Sequence, residues 1–294
     1  MRIIVVGASG LIGNIAFKEF SMDPAYDVFG TYFSQNTEGL LHLDMMDKKE
    51  VGEVMSEINP DIIFHPAANA NAEYCESHPV ETRKTNVDGS RNLIEAAKET
   101  GAKLVFFSSD YVFDGLDGPY SEEDAPNPIN EYGRQKLEIE NLIRNALSNY
   151  LIIRTTVVYG WELKGKNFVI QVIRNLSNNL KMNVANDQFG SPTYANNMVQ
   201  IVKELVGLNK TGLYNVVGRD VMDRYSFAKK VTGVFGLNAD LIAPTTTDKL
   251  GQKAKRPMKA GMKTTKVQNV VTTHILCVDD GLKEMKKEQM GGIS

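Results

Sequence analysis

Ile3-Ile4-Val5-Val6-Gly7-Ala8-Ser9-Gly10-Leu11-Ile12-Gly13 decides the fold. A short apolar run ends at glycine, and Leu11 to Phe20 then follows with helical spacing. The three glycines have separate tasks. Gly7 makes the tight turn, Gly10 lets backbone N–H groups approach a pyrophosphate, and Gly13 lets the helix pack closely on the strand. The helix N-terminus adds partial positive charge for the phosphates. A glycine triplet alone is weak, because a ligand-free βα turn uses the same residues. Its place between a buried strand and a helix gives it weight. The expected cradle is Gly7, Ser9, Gly10, Leu11, Ile12 and Gly13.

Outward from that start, strands and helices alternate. Val28 to Tyr32, Ile62 to Phe64, Lys103 to Phe107 and Leu151 to Ile153 read as buried strands. Lys48 to Ile58, Pro79 to Thr100 (with Gly101 as C-cap) and Glu131 to Leu147 read as helices. Short apolar strands between amphipathic helices predict an α/β fold, a Rossmann-type doubly wound parallel sheet with both faces covered. After Trp161 the rhythm loosens. Helices are expected over Phe168 to Leu180, Asn196 to Val206, Arg224 to Phe235 and Asp279 to Lys287, a strand over Leu213 to Val216, and a loop over Asp187 to Tyr194. The expected division is a dinucleotide-binding domain over 1–164, with 186–217 returning to it. A smaller C-terminal α/β substrate region takes 165–185 and 218–294.

At about 150 residues per domain, 294 residues suit two domains or one large α/β unit. With 42% apolar and 23% charged residues, the composition is that of a globular chain rather than a disordered or fibrous one. Gly251 to Ser294 carries nine Lys or Arg against four Asp or Glu, which leaves the first 250 residues at −8 within a total of −3. This tail is either a solvated surface or an anion contact through Lys255 or Arg256. No tract is basic and aromatic enough for nucleic acid, and no apolar run would span a membrane. Cys75 and Cys277 stand far apart, and the four histidines show no metal spacing. A cytoplasmic protein without a metal is therefore expected.

NAD sites commonly place an acid about 20 residues after the glycines, to bond the ribose 2′-hydroxyl. Gly30-Thr31-Tyr32-Phe33-Ser34-Gln35 holds neither acid nor arginine. Hydroxyls of Tyr32 and Ser34 suit a 2′-phosphate, so NADP(H) is expected in preference, with NAD(H) also accommodated. Asp44, beside Met45, is either an adenine contact or a turn residue.

Tyr132 and Lys136 lie four residues apart on one predicted helix, and so share a face. A lysine ammonium beside a phenol favours the phenolate, which makes Tyr132 a candidate proton donor. Ser109, after the strand Lys103 to Phe107, is placed to donate to the same substrate oxygen. YxxxK arises often by chance; joined to that serine and the glycine turn it is strong. Asp110 either bonds locally in the turn or orients substrate.

These residues together resemble the extended short-chain dehydrogenase/reductase superfamily, and within it the dTDP-4-dehydrorhamnose reductase family. The matches are GASGLIG at 7–13, His65-Pro66-Ala67-Ala68, Thr85-Asn86-Val87-Asp88-Gly89, SSDYVFDG at 108–115, Pro128 to Leu137, Arg154 to Gly160, Asp187-Gln188-Phe189-Gly190-Ser191-Pro192-Thr193 and Arg256-Pro257. The resemblance implies reduction of the C4 ketone of a nucleotide-linked 4-keto-6-deoxy sugar, with Ser109, Tyr132 and Lys136 as the catalytic trio. It implies a cofactor wall that includes Ala67, Ala68 and Asn69. It implies substrate contacts from Asp110, Tyr111, Gln188, Gly190, Thr193 and Arg256, the last at the diphosphate. A homodimer is a family-level expectation. Val157 stands where that family often has tryptophan, and no acidic cluster matches a metal-linked dimer. Two other readings share the features: a nucleotide-sugar epimerase or dehydratase, disfavoured because Tyr111 rather than Glu follows Asp110, and a non-catalytic regulatory subunit like the beta subunits of methionine adenosyltransferase, which carry the same SSDYVFDG pattern.

Overall fold

The apolar runs read as strands all join one parallel sheet. The computed structural model describes residues 1–162 and 165–291, so a domain boundary at 164 lies outside the described residues. In chain order the strands are β1 (Arg2–Val5), β2 (Asp27–Tyr32), β3 (Leu41–His42), β4 (Ile62–His65), β5 (Lys103–Ser109) and β6 (Tyr150–Thr155); the strand Gly212–Asn215 completes the sheet. The seven lie in the order Gly212–Asn215, β6, β5, β4, β1, β2, β3. Chain direction across the sheet reverses between β1 and β4, so the crevice for a ligand opens beyond the C-terminal ends of those two strands.

Two apolar layers sandwich the sheet. Ile3, Val5, Phe64, Val105 and Ile153 pack on one face against helices Leu11–Ser21 and Ala195–Gly207. Ile4, Ile63, Leu104, Phe106 and Ile152 pack on the other, against helices Lys48–Ile58, Gly89–Thr100 and Glu131–Ala146. A third core gathers Tyr159, Val169, Val172, Phe227, Val231, Ile242, Leu282 and Met285.

Two expectations are corrected. The helix read over Pro79 to Thr100 is interrupted: Pro79–Arg83 and Gly89–Thr100 are α-helical, and Lys84–Asp88 is a π-turn between them. Gly101 does end it, with φ 74°. Asp187 to Tyr194 is not only loop, because Phe189–Gly190 pairs with Met222–Asp223 and Thr193–Tyr194 with Val158–Tyr159. Unforeseen strands Met182–Ala185 and Ile242–Thr245 pair in parallel beside the third core. Among the described residues no helix is long and apolar enough to cross a membrane.

Candidate active site

The glycine turn is built to let backbone come close. Gly7 has φ 84°, and a Cβ there would lie 2.9 Å from Ala67 Cβ. A Cβ on Gly13 would lie 2.2 Å from the Gly7 carbonyl oxygen. Gly10 caps the helix Leu11–Ser21 with no side-chain bond, so the first N–H groups of that helix have no side-chain acceptor. Such a cradle fits the diphosphate of a dinucleotide. Ala67 forms one wall, and Asn69 N–H donates to Asn86 Oδ1 at 2.8 Å. At the far end, the Tyr32 and His42 rings meet edge to face at 5.5 Å, and Ser34 is exposed. Asp44 accepts from Met46 N–H at 2.9 Å, which is the turn role. The Met45 side chain lies in the core against Gly89, and its carbonyl accepts from Asn92 Nδ2 at 3.0 Å.

β5 runs two residues further than its apolar run and ends at Ser109. Helix Glu131–Ala146 begins beside it: Gly133 sits so close to the 110–112 turn that a Cβ would lie 2.0 Å from the Tyr111 carbonyl oxygen. Ser109, Tyr132 and Lys136 thus converge at one end of the sheet, at 8%, 9% and 2% exposure. Lys136 Nζ donates to the Phe107 carbonyl at 2.7 Å and lies 4.6 Å from the Phe106 ring centre and 5.7 Å from that of Tyr132.

The expected phenolate is corrected here. Burial pushes the Tyr132 phenol up, with Cys75, Asp110 and Tyr111 adding to the rise. Burial also pulls Lys136 down to about 7, against the pull of Cys75 and Glu140. Desolvation of both groups outweighs their attraction, because the ammonium is turned toward the Phe107 carbonyl. The Ser109 hydroxyl donates to Asp110 Oδ1 at 2.8 Å.

The expected substrate contacts divide. Tyr111 stands edge-on to Tyr132, ring centres 5.8 Å apart, with the Arg256 guanidinium 5.8 Å from its ring. Arg256 Nη2 donates to Glu73 Oε1 at 2.6 Å, while its buried Nη1 has no partner. Gly190 packs on Val157 and Thr156. Gln188 Nε2 donates to Thr247 and Gln252, at 3.0 and 2.9 Å. Thr193 is buried, its hydroxyl donating to the Ser191 carbonyl at 2.8 Å and accepting from Gly218 N–H at 3.2 Å. Arg224, Thr156 and Asn86 were missed as site residues. Arg224 stacks 5.3 Å from Phe168 and its charge faces Asp110 and Tyr111. Its only sequence signal was its place at the start of a predicted helix. Among the described residues no group of three or more His, Cys, Asp or Glu side chains could hold a metal ion.

A doubly wound sheet, a glycine cradle and a Ser–Tyr–Lys trio define the short-chain dehydrogenase/reductase class. Within it the chain belongs to the RmlD substrate binding domain family, whose model matches residues 1–290. It is similar to a dTDP-4-dehydrorhamnose reductase from Bacillus anthracis solved in complex with NADP: 30% identity, TM-score 0.89, 98% of this chain and 99% of that one. Methionine adenosyltransferase 2 subunit beta of Bos taurus is 29% identical over 276 residues, 92% of this chain and 82% of that protein. A probable low-salt glycan biosynthesis reductase of Haloferax volcanii is 28% identical over 295 residues, 97% of each chain.

Proposed function

We propose that the chain reduces the C4 ketone of a nucleotide-linked 4-keto-6-deoxy sugar in the cytoplasm, with NADP(H) preferred and NAD(H) accepted. The observation that carries this reading is the convergence of Ser109, Tyr132 and Lys136 beside the cradle at Gly7, Gly10 and Gly13. Bound nicotinamide supplies the hydride. Tyr132 gives its proton to the oxygen that becomes an alkoxide, a task that suits a neutral phenol. Lys136, once hydrogen-bonded to the cofactor ribose, holds its charge and draws the phenol down toward neutrality. Residues 1–164 and 186–217 form the dinucleotide half, and 165–185 with 218–294 bind the sugar nucleotide. Arg256, with one buried nitrogen lacking a partner, meets the diphosphate.

A non-catalytic subunit is the second reading, favoured by the methionine adenosyltransferase 2 subunit beta relatives. One experiment separates the two. The chain is mixed with NADPH and freshly made dTDP-4-keto-6-deoxy-hexose, and loss of the reduced-nicotinamide absorbance is followed. Oxidation that falls about 10²–10⁴-fold in Tyr132→Phe, with cofactor affinity kept, supports the reductase. Saturable NADPH binding without oxidation of any nucleotide-linked ketone, and co-purification with a stoichiometric enzyme, select the subunit. Turnover within threefold of the parent in Tyr132→Phe removes Tyr132 as proton donor.

A further inference from the structure

Asp110 stands between two hydroxyls. Its Oδ1 accepts from Ser109 Oγ at 2.8 Å and its Oδ2 from Thr156 Oγ1 at 2.7 Å. Ser109 Oγ in turn accepts from Tyr111 N–H at 3.2 Å. A serine has one proton to give, and here it points at a carboxyl that is only 4% exposed.

Thr156 is held by strained backbone. Val157, the next residue, has φ 47°, a region that β-branched residues rarely enter. Its carbonyl accepts from Thr193 N–H at 3.2 Å, and Gly190 packs closely on the same turn, where a Cβ would lie 3.2 Å from Val157 Cγ2 and 3.7 Å from Thr156 Oγ1. Strain of this kind persists where the surroundings fix a group in a working position.

The charged and titratable groups around the carboxyl are few. Arg224 faces it from helix Arg224–Phe235, Tyr132 from helix Glu131–Ala146 and Tyr111 from its own turn; Arg256 faces Tyr111 and Arg224. Burial pushes the carboxyl up to about 6, against the pull of Thr156, Ser109 and Arg224.

We propose that Asp110 is a positioning residue that sets the direction of the Ser109 proton. Ionised, it captures that proton. Neutral, it donates its own proton from Oδ1 to Ser109 Oγ and frees the Ser109 hydroxyl for the substrate ketone. Thr156 anchors Oδ2 in both states. The switch takes up one proton from solvent and changes no bond to carbon. It rests on the reductase reading for its substrate, but the reversal of the hydrogen bond can be read without turnover.

Infrared difference spectra of the full chain against pH report the carboxyl directly. One buried carboxyl is expected to titrate near pH 6 and to be absent in Asp110→Asn. Removing a donor to the carboxylate favours the neutral form, so Ser109→Ala and Thr156→Val each raise the midpoint by about one unit. In turnover, kcat falls as pH rises through that midpoint. The fall moves to higher pH in Thr156→Val and vanishes in Asp110→Asn, whose amide N–H replaces the carboxyl O–H as donor to Ser109. A midpoint unmoved by Ser109→Ala overturns the proposal, with or without turnover. So does an unchanged kcat profile in Thr156→Val, which keeps the test open should Asp110→Asn fail to fold. Expected shifts in a protein that reduces no nucleotide-linked ketone keep the proposal and overturn the reductase reading.

Discussion

Burial drives Tyr132 and Lys136 toward their neutral forms, and only the lysine is carried into the physiological range. Its pull down to about 7 means that Lys136 is charged below that pH and neutral above it. The unfolded chain, with an ordinary lysine, binds more protons between about pH 7 and 10.5, so this residue's contribution to stability rises with pH across that window. Binding has the opposite sign. A dinucleotide that needs the ammonium should lose affinity, by up to about tenfold, as pH rises by one unit above the titration. Fluorescence titration of NADPH against pH checks this. Lys136→Met should bind more weakly and without that dependence; a slope unchanged in the variant would move the effect to another group.

The π-turn Lys84–Asp88 shows what an element can hide. It turns Asn86 inward, where Oδ1 accepts from Asn69 N–H at 2.8 Å, while Nδ2 donates to the Asn69 carbonyl at 3.1 Å and to Gln135 Oε1 at 2.8 Å. One side chain thereby ties the cofactor wall to the catalytic helix. Apolar spacing could not reveal it, because the partners lie 17 and 49 residues away and a single π-turn barely disturbs the periodicity over Pro79 to Thr100. Gly13 is the contrary case: its task is local, a close approach to Gly7, and it was legible from spacing alone. Ser109, Tyr132 and Lys136 were legible as a set, but the direction of the Ser109 proton was not, since Thr156 lies 46 residues from Asp110. Asn86→Ala should leave Asn69 N–H unsatisfied and cost about 1–3 kcal/mol in urea unfolding, with weaker NADPH binding. Gln135→Ala, which spares the Asn69 bonds, should keep most of that affinity.

At the scale of the whole molecule, the basic tail returns to the rim of the sheet. Glu73 accepts from Lys253 N–H at 2.8 Å and from Arg256 at 2.6 Å, and Asn130, which caps the catalytic helix, donates to the Lys255 carbonyl at 2.8 Å. Further along, Lys263 N–H bonds the Tyr120 carbonyl at 2.7 Å. Residues 253–263 are therefore a strap across the catalytic end through their backbone, while the side chains of Lys253, Lys255, Lys259 and Lys263 stay exposed as a solvated basic surface. Arg256 has two roles open to it there, strut or anion contact, and its buried unpartnered Nη1 argues for the second, because an unmet donor on a buried cation is costly. Arg256→Met separates the roles. A diphosphate contact made equally in ground and transition states predicts KM for the sugar nucleotide up by about tenfold or more, with kcat and NADPH affinity nearly kept. A strut predicts the reverse, a fall in kcat and in thermal stability at constant KM, because the loosened strap would release Asn130 and tilt Tyr132 from its place.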